Sequence, residues 1–424
     1  MLNLIKKIWN LPQPIWIVIG LAGGVIAGAT IGKPMLDLAI VGKLWVNAIL
    51  LIVGPLVFCS VATGVMSLSH SNRSVGKLAG KAGIIYIASM AIGVAIAISI
   101  ALVFNVGAGL PITELLKHST HPQVIQHITS DNQVIHLLKS IIPRSAVQAF
   151  AKNNLLGIIF FAVLFGFCAN LIGRKAKATR LVIQSFGTVF IQIMQIVMKF
   201  APIGVFVILG GTIAETGIDT VQQFASVLLI IFSSFLVIFI VATMLVSIIC
   251  RVNPLQFLRN LYPVILTAVS TSSSLATLPV NLRTAERRMG VDHKVSGFFM
   301  SVAATISLTG LCSWLSICAI AALHATGHSI TVLDLTKILT ICILGAISAS
   351  GTPGAGIFTL ALVWQSLSLP PELLGIFIGL DRCGIDQLST VTNTSIDASG
   401  AVILGHSEGL LDKKIFNAPN LILI

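Results

Sequence analysis

Four polar side chains recur at helical spacing near the end of the chain. They are Asp386, Thr390, Asn393 and Asp397, at intervals of four, three and four residues. An α-helix turns by about 100° per residue, so the step from the first to the last closes to within about 20° and the four share one face. This face suits a small zwitterion together with a hard monovalent cation. Asp386 can pair with an ammonium group, Asn393 can bond either end of an amino acid, and Asp397 offers oxygens to Na⁺ or takes up a proton.

The residues around this face are apolar, which makes the carboxylates costly to place. Only 14 of the 424 residues are acidic, and three of them fall within 381–397. A charge at the centre of a bilayer costs at least about 2.5–3.5 kcal/mol, so a functional role is the default expectation. Two other interpretations stay open: an external amphipathic tail helix, and carboxylates that only pair with arginines elsewhere. The apolar residues at 401–404 do not suit a surface helix.

Two further segments interrupt apolar runs with small, polar or turn-forming residues. "AVSTSSSLATLPV" (268–280) holds six hydroxyl side chains before Pro279, and "SASGTPGAG" (348–356) has three glycines around Pro353. Each half-segment is short for a full span, so we predict two re-entrant hairpins. Such breaks are tolerated only inside protein or beside a wet cavity, and a pair of them is typical of a transporter's binding site. Taken singly, each could also be a helix kink or a loop between short spans.

The composition places these segments in a membrane. Of all residues 56% are hydrophobic and 9% are charged, and the mean hydropathy is +1.00, whereas soluble domains carry about 25% charged residues. Runs of roughly 20 apolar residues recur, which predicts a polytopic helical membrane protein. The first run resembles a signal peptide, but the apolar segments after it favour a retained helix. The predicted early spans are 14–32, 40–66, 78–105, 138–172, 178–210 and 219–250.

The net charge of +12 is spread over short loops and does not indicate nucleic-acid binding. Basic residues concentrate in alternate loops, and the loop 116–136 is poor in lysine and arginine, so we expect it outside the cell and both termini in the cytoplasm of a bacterial inner membrane.

The cysteines and histidines give weak signals. The seven cysteines form no CxxC pair, so a disulfide or zinc framework is not expected. Four histidines in or near the loop 116–136 are a weaker candidate for a metal site than for a solvated loop. No cofactor motif occurs, so Na⁺ or H⁺ is expected only as a coupling ion.

Several segments carry a resemblance to a known family. They are "TSSSLATLPV" (271–280), "GTPGAG" (351–356), "KFAPIGVF" (199–206), "NNLLGIIFFAVLFG" (153–166) and the pattern D-x-x-x-T-x-x-N-x-x-x-D (386–397). Together they resemble the glutamate transporter family, also called the dicarboxylate/amino acid:cation symporters, over nearly the whole chain.

The resemblance implies an all-α fold of eight transmembrane helices and two re-entrant hairpins in inverted repeats. It also implies a homotrimer in the lipid bilayer that works as an elevator. The static scaffold would be 1–77 (helices 1 and 2) and 111–215 (helices 4 and 5 with the external loop). The moving domain would be 78–110 (helix 3), 216–253 (helix 6), 254–292 (hairpin 1), 293–327 (helix 7), 334–370 (hairpin 2) and 371–406 (helix 8), followed by a cytoplasmic tail, 407–424.

The resemblance also assigns two sets of site residues. Ser274 would serve the substrate carboxylate, Asp386 the α-amino group and Asp397 a sodium ion, while the second hairpin tip would gate the site. The substrate set is Ser273, Ser274, Thr305, Gly351, Thr352, Pro353, Gly354, Ala355, Asp386, Ser389, Thr390 and Asn393. The cation set is Tyr86, Ser89, Ala303, Ser307, Thr309, Ser348, Asn393 and Asp397.

This sequence departs from the family at two places that matter. The family's N-M-D-G-T motif reads Ser-Leu-Thr-Gly-Leu at 307–311, which removes a carboxylate that offsets one cation, so the number of sodium ions stays open. Ser389 stands where the family has an arginine that binds an acidic side chain. Without that charge a second substrate carboxylate would be buried unpaired, which favours a neutral amino acid. Arg382 is a complication, because it lies one turn before Asp386 and could neutralise it or reach an acidic substrate.

Four hypotheses follow. The favoured one is a cation-coupled symporter, with Na⁺ as the preferred ion, for small or neutral amino acids. The second is a proton-coupled carrier of dicarboxylates or acidic amino acids that uses Arg382. An intramembrane hydrolase built on the serine cluster is a remote third, because G-x-S-x-G and H-E-x-x-H are missing and an enzyme is not expected. The fourth is a channel or a transport-dead relative.

Overall fold

The computed structural model describes residues 13–32, 34–67, 73–108, 142–151, 155–217, 219–349, 351, 355–367 and 369–418. Within these ranges the chain is almost entirely helical, and one isolated β-bridge, between Val291 and Leu411, is the sole strand-like pairing.

The first half of the chain forms eight described helices. They are α1 (Gln13–Ile31), α2 (Pro34–Ser67), α3 (Arg73–Val103), α4 (Ala146–Ala151), α5 (Leu155–Ile172), α6 (Lys177–Lys199), α7 (Ala201–Thr216) and α8 (Asp219–Cys250). A 3₁₀ turn, Gly173–Ala176, connects α5 to α6.

The second half is more finely divided. Its helices are α9 (Pro254–Thr271), α10 (Ser274–Arg287), α11 (His293–Ile306), α12 (Thr309–Ala325), α13 (Val332–Ser348), α14 (Ala355–Ser366), α15 (Pro371–Leu380), α16 (Asp386–Ser407) and α17 (Lys413–Asn417). A π-helical turn, Asp381–Ile385, connects α15 to α16.

Five helical stretches of the described chain are long and apolar enough to cross a membrane: Pro34–Thr63, Gly80–Val103, Gly157–Val197, Gln222–Cys250 and His293–Ala325. Their outer surfaces fit hydrocarbon, because large apolar side chains such as Leu51 (79% exposed), Leu171 (73%) and Ile248 (72%) point outward. The expectation of a helical membrane protein is confirmed to this extent. The count of eight spans, the sidedness of the termini and the elevator movement stay predictions.

Two predicted spans differ from the observed helices. The span 178–210 is divided, because α6 ends at Lys199 and α7 begins at Ala201 with Pro202 in its first turn. Proline lacks a backbone N–H and fits that position, where no intrahelical donor is needed. Within the span 138–172 the structure describes the short α4 and the longer α5, and residues 138–141 and 152–154 lie outside the described chain.

The two interrupted segments have left-handed backbone at their tips. In the first, α9 ends at Thr271 and the next residue, Ser272, has a φ of 48°. The side chain of Ser273 then accepts a hydrogen bond from Ala276 N at 3.2 Å, which starts α10. In the second, Gly351 has a φ of 61°, and residues 352–354 lie outside the described chain. The segments around these tips are called hairpin 1 (254–287) and hairpin 2 (332–366).

The base of hairpin 2 is fixed by a capping box. The Thr331 hydroxyl accepts from Asp334 N, and the Asp334 carboxylate accepts from Thr331 N and from His328. Burial raises the pKa of Asp334, but the hydrogen bonds from Thr331 and His328 outweigh this and hold it below its usual value.

Both long helices that frame the hairpins are broken at mid-length. Ser307 and Leu308 separate α11 from α12 with a ψ of 66° each, where the sequence predicts one helix over 293–327. The π-helical turn separates α15 from α16, and Gly384 there has a φ of 103°. Single π-helical turns within helices are frequent at functional sites.

The end of the chain closes the base of hairpin 1. Gly290 O accepts from Asp412 N at 2.8 Å, and Asp292 N donates to Leu410 O at 3.1 Å. The Asn260 side-chain amide donates to the carbonyls of Arg288 and Phe416. We call residues 408–418 the C-terminal clasp. It occupies part of the segment expected to be a cytoplasmic tail, and it packs as part of the fold.

We predict that Phe416→Ala releases the clasp. Phe416 is fully buried, and truncating such a side chain costs about 3–5 kcal/mol. Since about 1.4 kcal/mol is a factor of ten, the detached form should become at least about 100-fold more populated. Limited trypsin digestion at Lys413 and Lys414 measures this. Ile415→Ala is the matched control, because Ile415 is 40% exposed. Equal cleavage rates in the two variants would contradict the assignment.

Candidate substrate and cation site

The two hairpin tips contact each other directly. The Ser273 hydroxyl donates to the Gly351 carbonyl at 3.0 Å, and Leu275 N donates to the same oxygen at 3.3 Å. A side chain at Gly351 would overlap the carbonyl of Ala304, and a φ of 61° also disfavours other residues. The glycine therefore allows the second tip to lie against α11 and the first tip together.

Beside the tips, the backbones of α12 and α16 approach each other closely at Gly310. A Cβ on Gly310 would lie 2.5 Å from the Ser389 carbonyl oxygen. Gly310 N lies in the first turn of α12, where backbone N–H groups have no acceptor within the helix. It donates instead to Asn393 Oδ1 at 2.7 Å. Asn393 thereby closes the break between α11 and α12.

A cavity of about 20 Å³ lies where the tips, α12 and the polar face of α16 meet. This volume accommodates about one water molecule. Six of the predicted substrate residues line the cavity: Ser274, Gly351, Asp386, Ser389, Thr390 and Asn393. Five lining residues were missing from the prediction: Ser272, Leu308, Leu311, Trp314 and Gly356. The three apolar ones carry no chemical signature in the sequence.

The other predicted substrate residues lie elsewhere or are not described. Ser273 is buried beside the cavity and bonded to Gly351. Thr305 donates to Val302 O of its own helix and is not among the lining residues. Ala355 begins α14, and nothing is described of its side chain. Thr352, Pro353 and Gly354 lie outside the described residues, so their roles stay predictions.

Two of the predicted cation ligands lie close together. Asp397 is 2% exposed, and its Oδ1 makes no hydrogen bond within the described chain. Tyr86 is near enough for an electrostatic interaction with this carboxylate, while its own hydroxyl donates to Phe299 O at 2.7 Å. A buried carboxylate oxygen without a donor is a ligand suited to Na⁺ or to a proton.

The remaining predicted cation ligands are mostly engaged with protein. The hydroxyl of Thr309 donates to that of Ser89 at 3.4 Å, so two hydroxyls meet where the resemblance implies a carboxylate. Ser348 donates to Gly345 O at 2.6 Å. Ser307 and Ala303 are buried.

Carboxylates lie in and beside the cavity. Asp386 is the one ionisable residue among those lining the cavity. Asp381 is 1% exposed, and its Oδ1 would lie 3.4 Å from a Cβ on Gly356. The side chain of Arg382 lies outside the described part of the chain, so its predicted role is untested.

Comparison with known proteins decides the family. The sequence profile of the sodium:dicarboxylate symporter family matches residues 14–407. This chain belongs to that family. The match covers both hairpins and the polar face of α16, so the family resemblance drawn from those segments is confirmed. Membership in a transporter family agrees with the apolar helices in identifying a membrane protein.

Several proteins that are similar to this chain are named C4-dicarboxylate transport proteins. A C4-dicarboxylate transport protein of Rhodospirillum rubrum is 28% identical over 398 residues, covering 92% of this chain and 88% of that protein. Proteins of the same name from Stenotrophomonas maltophilia and Rhizobium meliloti are 27% and 26% identical, and each alignment covers 95% of this chain and 91% of the relative. These names favour the dicarboxylate hypothesis over the amino-acid one.

We predict that Asn393→Leu destabilises this symporter-family protein. The substitution leaves the buried Gly310 N–H without an acceptor, which costs about 1–3 kcal/mol. Thr392→Val is the control on the same helix, because Thr392 is also buried but bonds only Leu388 O. Thermal unfolding in detergent should show a lower midpoint for the leucine variant alone. Equal midpoints would mean that this hydrogen bond does not hold the break.

Proposed function

We propose that the protein is a secondary active transporter that couples the uptake of a C4 dicarboxylate to a cation gradient. The observation that carries the proposal is the cavity in which Ser274 of one hairpin, Gly351 of the other and the Asp386–Asn393 face of α16 come together. The names of the relatives support the substrate class. The acidic amino acids aspartate and glutamate belong to the same class, because they also carry two carboxylates.

The charge of a dicarboxylate supports coupling to cations. The substrate brings two negative charges to a region that also holds the buried Asp397, whose Oδ1 makes no hydrogen bond within the described chain. Burying like charges together is costly unless cations or protons accompany them. In this proposal Asp397 and Tyr86 frame one cation, and further positive charge enters as Na⁺ or H⁺. Arg382 would supply a fixed charge.

Binding requires the hairpin 2 tip to move. The cavity accommodates about one water molecule, and a four-carbon diacid is larger than that. Among the described residues, Gly351 O accepts two hydrogen bonds across the tips, and both are replaceable by water or by substrate. We propose that this tip gates the site and that the protein is a homotrimer with a moving domain, as the family resemblance implies.

A small neutral amino acid is the second candidate substrate. Asp386 lines the cavity and can pair with an ammonium group, whereas Ser389 lines it with no charge to meet a second carboxylate. These two residues favour a zwitterion independently of the relatives' names.

Uptake into proteoliposomes tests both candidates. Labelled succinate, malate, aspartate, glutamate, serine and alanine are compared under an inward sodium gradient, an inward proton gradient and neither. Gradient-driven accumulation of succinate or malate supports the first proposal. Accumulation of serine or alanine alone replaces it with the second, and flux that ignores both gradients contradicts coupling.

We predict that Asp386→Asn separates the two candidates. The substitution removes a charge-assisted bond to an ammonium group, worth about 1.5–3 kcal/mol, so amino-acid affinity should fall about 10- to 100-fold. Dicarboxylate affinity should hold or rise, because one negative charge beside the dianion is gone. Competition uptake gives both constants. Glu408→Gln is the control, since that carboxylate pairs with Lys81 outside the cavity. A dicarboxylate affinity that falls as far as the amino-acid affinity would contradict these roles.

A further inference from the structure

We propose that Trp314 sets the greatest length of substrate that the cavity accepts. This inference rests on the proposed function, in that it concerns a transported carboxylate, but it holds for a dicarboxylate and for an amino acid alike.

The cavity has two chemically different walls. The polar wall consists of Asp386, Ser389, Thr390 and Asn393 on α16. The apolar wall comes from α12 and the residue just before it, and it is made of Leu308, Leu311 and Trp314. Leu311 and Trp314 are three residues apart on α12, so they lie on one face of that helix. A substrate whose charged end is held at the polar wall therefore extends toward leucine and tryptophan.

Trp314 is fixed in place by the second hairpin. It is 1% exposed, and a Cβ on Gly356 would lie 2.8 Å from its Cζ2 and 3.5 Å from Leu311 Cδ1. Gly356 thus lets α14 rest directly on the indole. Once hairpin 2 has closed over the substrate, the close-packed ring cannot retreat without moving α14, so in the closed site the wall acts as a stop.

The indole edge that faces hairpin 2 also bears the polar group of this side chain. Cζ2 is bonded to the ring carbon that carries Nε1, so the N–H lies along the edge near Gly356. The indole N–H groups of Trp45 and Trp364 donate to backbone carbonyls, Val197 O and Pro370 O respectively. No described residue accepts a hydrogen bond from Trp314. Substitution of Trp314 therefore breaks no hydrogen bond among the described residues.

Trp314→Phe and Trp314→Leu test the length limit. Competition uptake is measured for the diacids malonate, succinate, glutarate and adipate, and for glycine, serine, glutamine and glutamate. Both variants replace the indole by a smaller side chain, so the cavity should accept longer substrates. The affinity for the longest accepted member relative to the shortest should rise about 10-fold or more, since one methylene in an apolar pocket discriminates by about that much. The affinity for the shortest members should change little.

Trp364→Phe is the matched control. Trp364 is equally buried at 1% exposed, it loses an indole hydrogen bond on substitution, and it packs against Phe377 away from the cavity lining. Its length preference should equal that of the parent protein. Thermal unfolding of every variant identifies those that fold, and at least one Trp314 variant with a parent-like midpoint is used for the comparison.

The outcomes separate the inference from the proposed function. A parent-like length preference in the folded Trp314 variants overturns the inference, as does an equal shift in Trp364→Phe. Failure of the parent protein to take up any compound of the two series overturns the proposed function itself. A shift seen only in the Trp314 variants supports the length limit, in whichever series the parent transports.

Discussion

A backbone group that leaves a helix inside a membrane needs a new partner, and this constraint determines how the centre of the protein is built. Three of the breaks described here have specific neighbours. The tip of hairpin 1 supplies an O–H and an N–H to Gly351 O of hairpin 2, and the Asn393 side chain accepts from the N–H at the start of α12. These contacts bring the two tips and the start of α12 together around the cavity.

The same groups explain why the site combines polar and apolar walls. The face of α16 directs hydroxyls, an amide and carboxylates inward, although most of its surroundings are apolar. The α12 wall presents leucine and tryptophan, which exclude water and strengthen electrostatic interactions across the cavity. Ions and substrate would then experience charges such as Asp397 with little screening. This arrangement fits coupling, because the free energy of one ligand depends strongly on the charge of the other.

Sequence patterns predicted the parts of the site that rest on unusual residues. The spacing of Asp386, Thr390, Asn393 and Asp397 predicts one helical face. The serine and glycine clusters predict both tips, because polar side chains and broken backbone are costly in a membrane unless they bond protein, ligand or water. Leu311 and Trp314 gave no such signal, since an apolar residue in an apolar helix fits many environments. The breaks at Ser307 and Gly384 were also missed. Both are short deviations, over two residues at the first and within a five-residue turn at the second, and their position depends on packing against neighbours that lie far away in sequence.

The C-terminal clasp has a consequence for the order in which the protein is made. Asn260 in hairpin 1 and Phe416 in the clasp are 156 residues apart in sequence, yet the amide of one donates to the carbonyl of the other. During translation hairpin 1 emerges long before its closing segment, and domains tend to acquire structure from the N-terminal side. The base of hairpin 1 must therefore remain incomplete while α11 to α16 are inserted. The base of hairpin 1 is complete only when residues 408–418 have been synthesised and have docked.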